Sequence, residues 1–324
     1  MVVSSFVRWR GFVSRGLRQT LLAMSAVLGL LALAPAHAAA TFPGRNGLIA
    51  WSYMVNGNEG PTPPQYGLLK VAGFGGGDHS LRSCSTFGYC EEWADVSYSP
   101  NGRQLAWDIY TPGASRVILA DADGPHAVTV VVGFDPSFSP SGRRLIYVRP
   151  YGHIYQIVTS NLHGKDVQKL LGVTTAADPQ ISPNGKQILF ARGTTIWIMD
   201  ANGRDAKPII ASGKAPDWAP RGTEIAYVGV KSARVYTARP DGADRHELPA
   251  DGLCYPPSCG GGSNSNFAIF SPNGRYVAFD DIDGSGDPGV YTMPANGGAA
   301  KGIDSVWTDD AGGSALGMSW QSLH

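Results

Sequence analysis

Residues 135–147 read DPSFSPSGRRLIY, and this stretch decides the fold. Its Ser-Pro-Ser-Gly segment at 139–142 suits a type I β-turn, with serine first, proline second and glycine fourth. Apolar side chains alternate on both sides of this turn, at Phe138 before it and at Leu145 and Tyr147 after it. Because alternation with a period of two indicates a strand on each side, the stretch predicts a β-hairpin.

The same unit recurs along the chain. Ser-Pro-Asn-Gly stands at 99–102, 182–185 and 271–274, and Ala-Pro-Arg-Gly stands at 219–222. The five turn glycines are 40, 43, 37 and 52 residues apart, which brackets the ~40–45 residues of a four-stranded propeller blade. Two further apolar segments follow most of the hairpins, as a third and a fourth strand would. The repeat therefore predicts an all-β propeller built from four-stranded antiparallel blades.

The two ends of the chain supply a sixth unit. Residues 46–51 read NGLIAW and match the second half of the hairpin, whereas residues 318–320 read MSW and match the first half. We therefore predict a six-bladed ring whose last blade takes its inner strand from the C-terminus and its other three strands from the N-terminus. Pairing of the N- and C-terminal strands would close the ring and leave no open seam.

Two blocks carry a family resemblance. Residues 135–142 and 178–185 share the order Asp-Pro-x-apolar-Ser-Pro-x-Gly, and residues 42–47 read FPGRNG. These motifs resemble the repeat of TolB-like (WD40-like) propellers, and the resemblance extends over residues 42–321. It implies a six-bladed propeller in an exported protein. TolB itself carries an α/β domain before its propeller, which has no counterpart here, and binds a peptidoglycan-associated lipoprotein. Because this propeller serves many roles, the resemblance is specific for fold and weak for function.

The first 38 residues have the features of an export signal. A basic start is followed by an apolar run at 21–34 and by Ala-His-Ala at 36–38, a small-x-small cleavage pattern. The run is shorter than the ~20 residues that span a membrane. We predict a signal peptide over 1–38 and a single propeller domain over 39–324, periplasmic or extracellular, with no membrane span after cleavage. Retention of the segment as an anchor is the alternative.

Charge and cysteine content bound the partners and the compartment. Residues 39–324 carry a net charge of −4, which argues against a nucleic-acid partner. The four cysteines form two close pairs, Cys84 with Cys90 and Cys254 with Cys259. In an exported chain such pairs predict two local disulfides. A zinc site is the weaker alternative, because neither pair has CxxC spacing and no histidine is near.

Two sets of acids are candidate cation ligands, with calcium as the candidate cofactor. Asp281, Asp283 and Asp287 resemble the first half of a calcium loop, but a plain hairpin is favoured because the twelfth position is Thr292 instead of glutamate. The second set occupies one position in three successive blades, where it could ring the channel mouth: Asp95, Asp135 and Asp178. An architectural role of this repeated aspartate is the favoured alternative.

Long insertions fall between the second and third strands or between blades, at 54–65, 84–92, 109–115, 249–266, 281–288 and 304–315. Together they hold ten acids and no lysine or arginine. Loops on a rigid scaffold often carry binding residues, so we predict an acidic, aromatic-bearing surface for a basic protein or envelope partner or for a divalent cation. Its proposed binding residues are Tyr89, Glu91, Glu92, Tyr110, Tyr255, Trp307, Asp309 and Asp310. The alternative is that aspartate, glycine and proline are simply good loop formers.

No catalytic constellation stands out in the sequence. The leading hypothesis is a non-catalytic exported module that binds a protein or another ligand, and a structural envelope module is a third reading. The alternative is a propeller enzyme, a lyase or hydrolase, that acts at the channel mouth with His153 and the channel acids.

Overall fold

The repeats fold as consecutive antiparallel sheets in this computed structural model, which describes residues 43–56, 65–73, 76–83, 93–111, 114–123, 126–251, 265–282, 288–304 and 315–324. The strands are β1 (Arg45–Asn56), β2 (Gln65–Gly73), β3 (Gly76–Ser83), β4 (Trp93–Tyr98), β5 (Gln104–Thr111), β6 (Ala114–Asp121), β7 (Ala127–Val132), β8 (Phe134–Phe138), β9 (Arg144–Tyr151), β10 (Ile154–Asn161), β11 (Gln168–Val173), β12 (Ala177–Ile181), β13 (Gln187–Arg192), β14 (Thr195–Asp200), β15 (Lys207–Ile210), β16 (Lys214–Trp218), β17 (Ile225–Val228), β18 (Val235–Ala238), β19 (His246–Glu247), β20 (Ala250–Asp251), β21 (Ala268–Phe270), β22 (Tyr276–Ile282), β23 (Pro288–Pro294), β24 (Gly298–Ala299), β25 (Lys301–Asp304) and β26 (Ala315–Leu323).

These strands form six four-stranded blades, as predicted. Blades 1 to 4 are β4–β7, β8–β11, β12–β15 and β16–β19, and blade 5 is β21, β22, β23 and β25. The closing blade has the order β26-β1-β2-β3, so it joins the two ends of the chain. A short parallel pair, β20 with β24, links the segment after blade 4 to blade 5.

The closing blade confirms the predicted pairing of the termini. Ile49 lies opposite Trp320, and Trp51 lies opposite Met318, in an antiparallel ladder. Trp51 and Trp320 are both buried. Gln321 adds a polar link, because its Nε2 donates to the carbonyl of Gly102 in blade 1 at 2.8 Å. The ring is thus closed by packing and by hydrogen bonds between the closing blade and its neighbours.

The repeated turn has the hydrogen bonds that its sequence predicts. In blade 1 the Gly102 amide donates to the Ser99 carbonyl at 2.8 Å, which closes the turn. The Ser99 hydroxyl oxygen accepts the Gln104 amide at 2.9 Å and holds the start of β5. Neighbouring strands of a blade run in opposite directions. The turns from first to second strand and from third to fourth strand therefore lie on one side of the ring, here called the tight-turn face. The other connections lie on the opposite side, here called the loop face.

The core lies between neighbouring blades. Each blade contributes a large aromatic residue from its second strand, and all of these side chains are buried: Trp51, Trp107, Tyr147, Phe190, Tyr227 and Phe279. The apolar positions of the repeated hairpin therefore form the packing surfaces of the ring. Within the ranges given above, no helix is long and apolar enough to cross a membrane.

Candidate binding site at the channel mouth

The inner strands of all six blades line an axial channel. Its lining includes Asp95, Asp135 and Asp178 from blades 1 to 3, and its water-accessible space is about 90 Å³. Such a space holds a few water molecules or one slender side chain. The channel is therefore a place for a small or extended group at the loop face, and not for a bulky ligand.

A backbone irregularity places the three acids at the mouth. The pairing of the inner strand shifts register around each of them, between Ala94 and Ser97 in blade 1, for example. Asp135 and Asp178 have φ values of 50° and 49°, in the left-handed region that aspartate tolerates better than most residues. Bulges of this kind redirect a side chain, and here they leave the acids on the channel wall.

The structure brings the three repeated acids together. One carboxylate oxygen from each of Asp95, Asp135 and Asp178 lies within 4.8 Å of the other two. Asp135 is buried, and the other two are partly buried. The expectation that they share the channel mouth is met, whereas cation binding there stays a prediction.

These carboxylates also bond to the backbone of the neighbouring blade. The Asp178 amide donates to Asp135 Oδ2 at 3.0 Å, and the Asp135 amide donates to Asp108 Oδ1 at 3.3 Å. The Ala215 amide likewise donates to the carboxylate of Asp178. One blade further on, the Phe270 amide donates to Asp217 Oδ2 at 2.8 Å. Four consecutive seams, from blade 1 to blade 5, are therefore each bridged by an aspartate of one blade and an amide of the next.

Burial raises the pKa values of these acids. Loss of water contact, followed by the charge of Asp135, raises the pKa of Asp178 to about 7. The same two causes, in the same order, raise the pKa of Asp95 and of Asp108 well above the ordinary value. Burial also raises the pKa of Asp217 to about 7. Close carboxylates of this kind share protons at neutral pH unless a cation replaces them.

The other half of the channel wall is apolar at the same position of the repeat. Ala215, Phe267 and Gly317 stand there in blades 4 and 5 and in the closing blade. Lys214 brings a positive charge close to the mouth: its charge lowers the pKa of Asp178, and its Nζ donates to Asn266 Oδ1 at 2.9 Å. At this position of the repeat, the carboxyl groups therefore stand only in blades 1 to 3.

Few of the other predicted site residues lie within the described part of the chain. Asp281 lies in β22, where it is buried and accepts the Ser265 hydroxyl at 3.2 Å. Tyr110 belongs to β5. The rest lie outside the described residues and stay predictions: Tyr89, Glu91, Glu92, Tyr255, Asp283, Asp287, Trp307, Asp309, Asp310 and the cysteines Cys84, Cys90, Cys254 and Cys259. His153 is exposed at the hairpin between β9 and β10, and the described lining of the channel includes no histidine.

Sequence reasoning missed three acids that the structure buries near the channel: Asp108, Asp217 and Asp280. Asp280 accepts the amides of Asn266 and Phe267 at 2.7 and 2.8 Å, and burial raises its pKa to about 6. The sequence marks two of these acids, because Asp108 and Asp280 each directly follow the buried aromatic residue of the second strand. The other four blades have serine, valine or alanine at that position.

Comparisons with known proteins bear on the fold. No protein-family model matches the sequence, and no curated protein matches it. A solved TolB from Acinetobacter baumannii has a TM-score of 0.66 at 17% identity, over 95% of this chain and 73% of that one. A TolB from Agrobacterium tumefaciens has a TM-score of 0.59 at 15% identity, over 86% of this chain and 100% of that one. Hydrazine synthase of Kuenenia stuttgartiensis has a TM-score of 0.61 at 12% identity, over 85% and 47% of the two chains.

Identities this low show the fold alone. The chain has the six-bladed propeller architecture of TolB, which confirms the fold that the sequence motifs imply. An enzyme also stands among the similar structures, so the fold is compatible with either binding or catalysis.

Proposed function

We propose that this chain is a non-catalytic exported binding module whose loop face holds a positively charged group of a protein partner at the channel mouth. The observation that carries the proposal is the group of three carboxyl oxygens within 4.8 Å of one another, from Asp95, Asp135 and Asp178. A cationic side chain placed there would relieve their mutual repulsion. The narrow channel suits one extended lysine or arginine side chain better than a whole substrate.

The hydrogen bonds of the acids favour holding over catalysis. Asp135, Asp178 and Asp217 each accept a backbone amide of the next blade, so each is committed to the architecture of the ring. A general acid or base must exchange its proton with a substrate, and it does so best when its oxygens are free to reach that substrate. The competing enzyme hypothesis relies on His153, which is exposed away from the channel lining.

The long connections that the sequence assigns to the loop face would extend the proposed surface. Their sequence carries ten acids and no basic residue, and it supplies aromatic side chains at Tyr89, Tyr255 and Trp307. Charge of one sign on such a surface speeds association with a partner of the opposite sign, and aromatic residues give rigid contact area. The export signal at 1–38 would place this interaction in the periplasm or outside the cell.

The test uses a short lysine-rich peptide as the probe and the full chain as the receptor. Charge reversal at Glu91, Glu92, Asp309 and Asp310 is expected to weaken binding, measured by calorimetry, and to reduce its dependence on salt. A matched control reverses four exposed acids of the tight-turn face: Asp123, Asp205, Glu224 and Asp244. The proposal fails if the control weakens binding as much as the loop variant, or if the wild type does not bind the peptide.

Calcium is a second candidate ligand, for a specific reason. Oxygen atoms that share one Ca²⁺ at ~2.4 Å lie up to about 5 Å apart, which is the spread of the three carboxyl oxygens. We expect Ca²⁺ to raise the melting temperature more at about pH 8 than at about pH 5, since protons compete for the same oxygens. Asp95→Asn should remove most of that effect, and an equal effect of Ca²⁺ in this variant would exclude the site.

A further inference from the structure

Every blade presents a cation at its innermost turn on the tight-turn face. In four blades the cation directly follows the turn glycine, in blade 4 it is the third residue of the turn, and in the closing blade it begins β1 opposite Leu323. All six side chains are exposed. The ring consists of Arg45, Arg103, Arg143, Lys186, Arg221 and Arg275, and is called the cation ring below.

Hydrogen bonds fix the backbone at several positions of the cation ring, whereas the charged side chains are exposed to solvent. Turn asparagines accept the amides of Arg103, Lys186 and Arg275 at 3.1, 3.0 and 2.9 Å. None of the six cations forms an ion pair with another residue of the described ranges. The ring therefore presents a fixed set of unneutralised charges around the end of the channel opposite the acidic mouth.

Acids on the same face lie mainly farther from the axis. Glu224 is the one acid within the innermost turns of the described blades. The outer turns, between third and fourth strands, mix both signs, and Arg239 there bonds Asp241 and Asp244 at 2.7 and 3.4 Å. The excess of positive charge on this face thus lies at the innermost ends of the blades.

The N-terminal end of the described chain lies on this same face. The Gly44 amide donates to the carbonyl of Pro272, within the innermost turn of blade 5, at 3.3 Å. A groove of about 460 Å³ runs beside it, lined by Pro43, Pro272 and the two ring cations Arg221 and Arg275. In the sequence, the apolar run at 21–34 precedes Pro43.

We propose that the tight-turn face docks on an anionic membrane surface, with the cation ring against the lipid headgroups. Cations near such a surface are each attracted to it, and the contributions of several exposed cations on one face add. If the apolar run that precedes Pro43 in the sequence is retained as an anchor, it adds an affinity of the same chain for a bilayer. The inference is independent of the proposed use of the loop face, which points away.

Vesicle sedimentation with the full chain tests the proposal. The vesicles are phosphatidylcholine alone, or phosphatidylcholine with about 30% phosphatidylglycerol. The ring variant is Arg103→Gln, Arg143→Gln and Lys186→Gln. The matched control, Arg116→Gln, Lys169→Gln and Lys231→Gln, removes the same charge from exposed positions off the ring. The apolar N-terminal run is present in every protein and acts equally on both vesicle types.

The wild type should prefer anionic vesicles, and added salt should weaken that preference. Because each cation contributes about fivefold, the ring variant should lose about 100-fold in partition to anionic vesicles, while the control should lose far less. Equal losses in both variants, or equal binding of the wild type to both vesicle types, would overturn the proposal. Binding of polyglutamate without any binding of anionic vesicles would also overturn it, and would assign the ring to an acidic protein.

Discussion

The seams between blades fall into two kinds. From blade 1 to blade 5, four consecutive seams are each bridged by a buried aspartate that accepts an amide of the next blade, as Asp217 does for Phe270. At the closing blade, the described bridges come instead from hydroxyl, amide and backbone groups and from the His324 ring. There the Ser319 hydroxyl oxygen accepts the Tyr98 amide at 2.9 Å, and the Gly44 amide bonds a carbonyl of blade 5.

The contrast shows that backbone conformation does not require the aspartate. Asp178 and Ala215 occupy the same position of the repeat with φ values of 49° and 46°. The role of the aspartate at this position is therefore to accept a backbone amide of the next blade, and not to allow the backbone conformation. Where that position lacks an acid, Asp217 supplies the bond from two residues farther along the strand. The carboxylate seams should respond to pH, and the closing seams should respond to packing and length.

Removal of the C-terminal strand should cause the largest loss of stability of all the changes considered, because it acts on the closing blade. Deletion of residues 315–324 takes away the inner strand of the closing blade and the buried Trp320. Loss of a large buried aromatic side chain alone costs ~3–5 kcal/mol, so the melting temperature should fall sharply or the fold should be lost. Deletion of residues 323–324 alone is the control and should have a small effect. An unchanged melting temperature in the longer deletion would contradict the role of the closing blade.

A single added methyl group should destabilise the contact between the closing blade and blade 1. A Cβ at Gly317 would lie 2.3 Å from Asp95 Cα and 2.6 Å from Asp95 N, a backbone clash that no rotamer relieves. Gly317→Ala should therefore cost about 2–3 kcal/mol in the free energy of unfolding, measured by urea denaturation. Gly302→Ala is the matched control, since its new Cβ would meet Tyr291 at an ordinary 3.6 Å. Equal stability of the two variants would show that the seam can open.

The carboxylate seams should weaken as pH rises. Folded protein keeps a proton on Asp178 and on Asp217 up to about pH 7, whereas the unfolded chain loses it near the ordinary pKa of 3.8. The protonated groups therefore stabilise the fold at acidic pH, and this stabilisation is lost as pH rises through about 7. Between about pH 5 and pH 8, ionisation of each group should lower the free energy of unfolding by about 2–3 kcal/mol.

Melting temperatures across this range measure the effect. Asp217→Asn keeps an oxygen for the Phe270 amide and cannot ionise, so it should reduce the pH dependence by the share of Asp217 and leave the share of Asp178. Asp244→Asn, at an exposed position, should leave the dependence unchanged. If the wild type instead became steadily more stable from about pH 5 to pH 8, the raised pKa values would be wrong.

The fold could be predicted from sequence because its decisive features are local and repeated. The turn at 139–142 and the alternation around it specify a hairpin without reference to any other part of the chain. The split repeat at the two ends specifies closure. The meeting of Asp95, Asp135 and Asp178 was predictable for the same reason, since equivalent positions of neighbouring blades face one channel.

The seam chemistry could not be predicted in this way. Asp108 and Asp217 stand where most blades have other residues, so no periodic signal marks them as a set. Each bonds an amide of the next blade, at 3.3 and 2.8 Å, and the alignment of one blade against the next is a tertiary property. The cation ring, in contrast, is visible in the sequence, but its meaning appears only when the turns are seen to share one face.

The pairing of β1 with β26 also sets the order in which the molecule can be assembled. Leu48 and Gln321, which share a hydrogen bond across the closing blade, are 273 residues apart in the chain. A chain that emerges N-terminus first, from a ribosome or a translocation pore, can form blades 1 to 5 in sequence. Until β26 is available, the backbone groups on one edge of β1 have no strand to pair with. Contacts of such long range form slowly, and a bare edge invites pairing with another chain. Release of the final nine-residue strand is therefore the step that ends the period of vulnerability to aggregation.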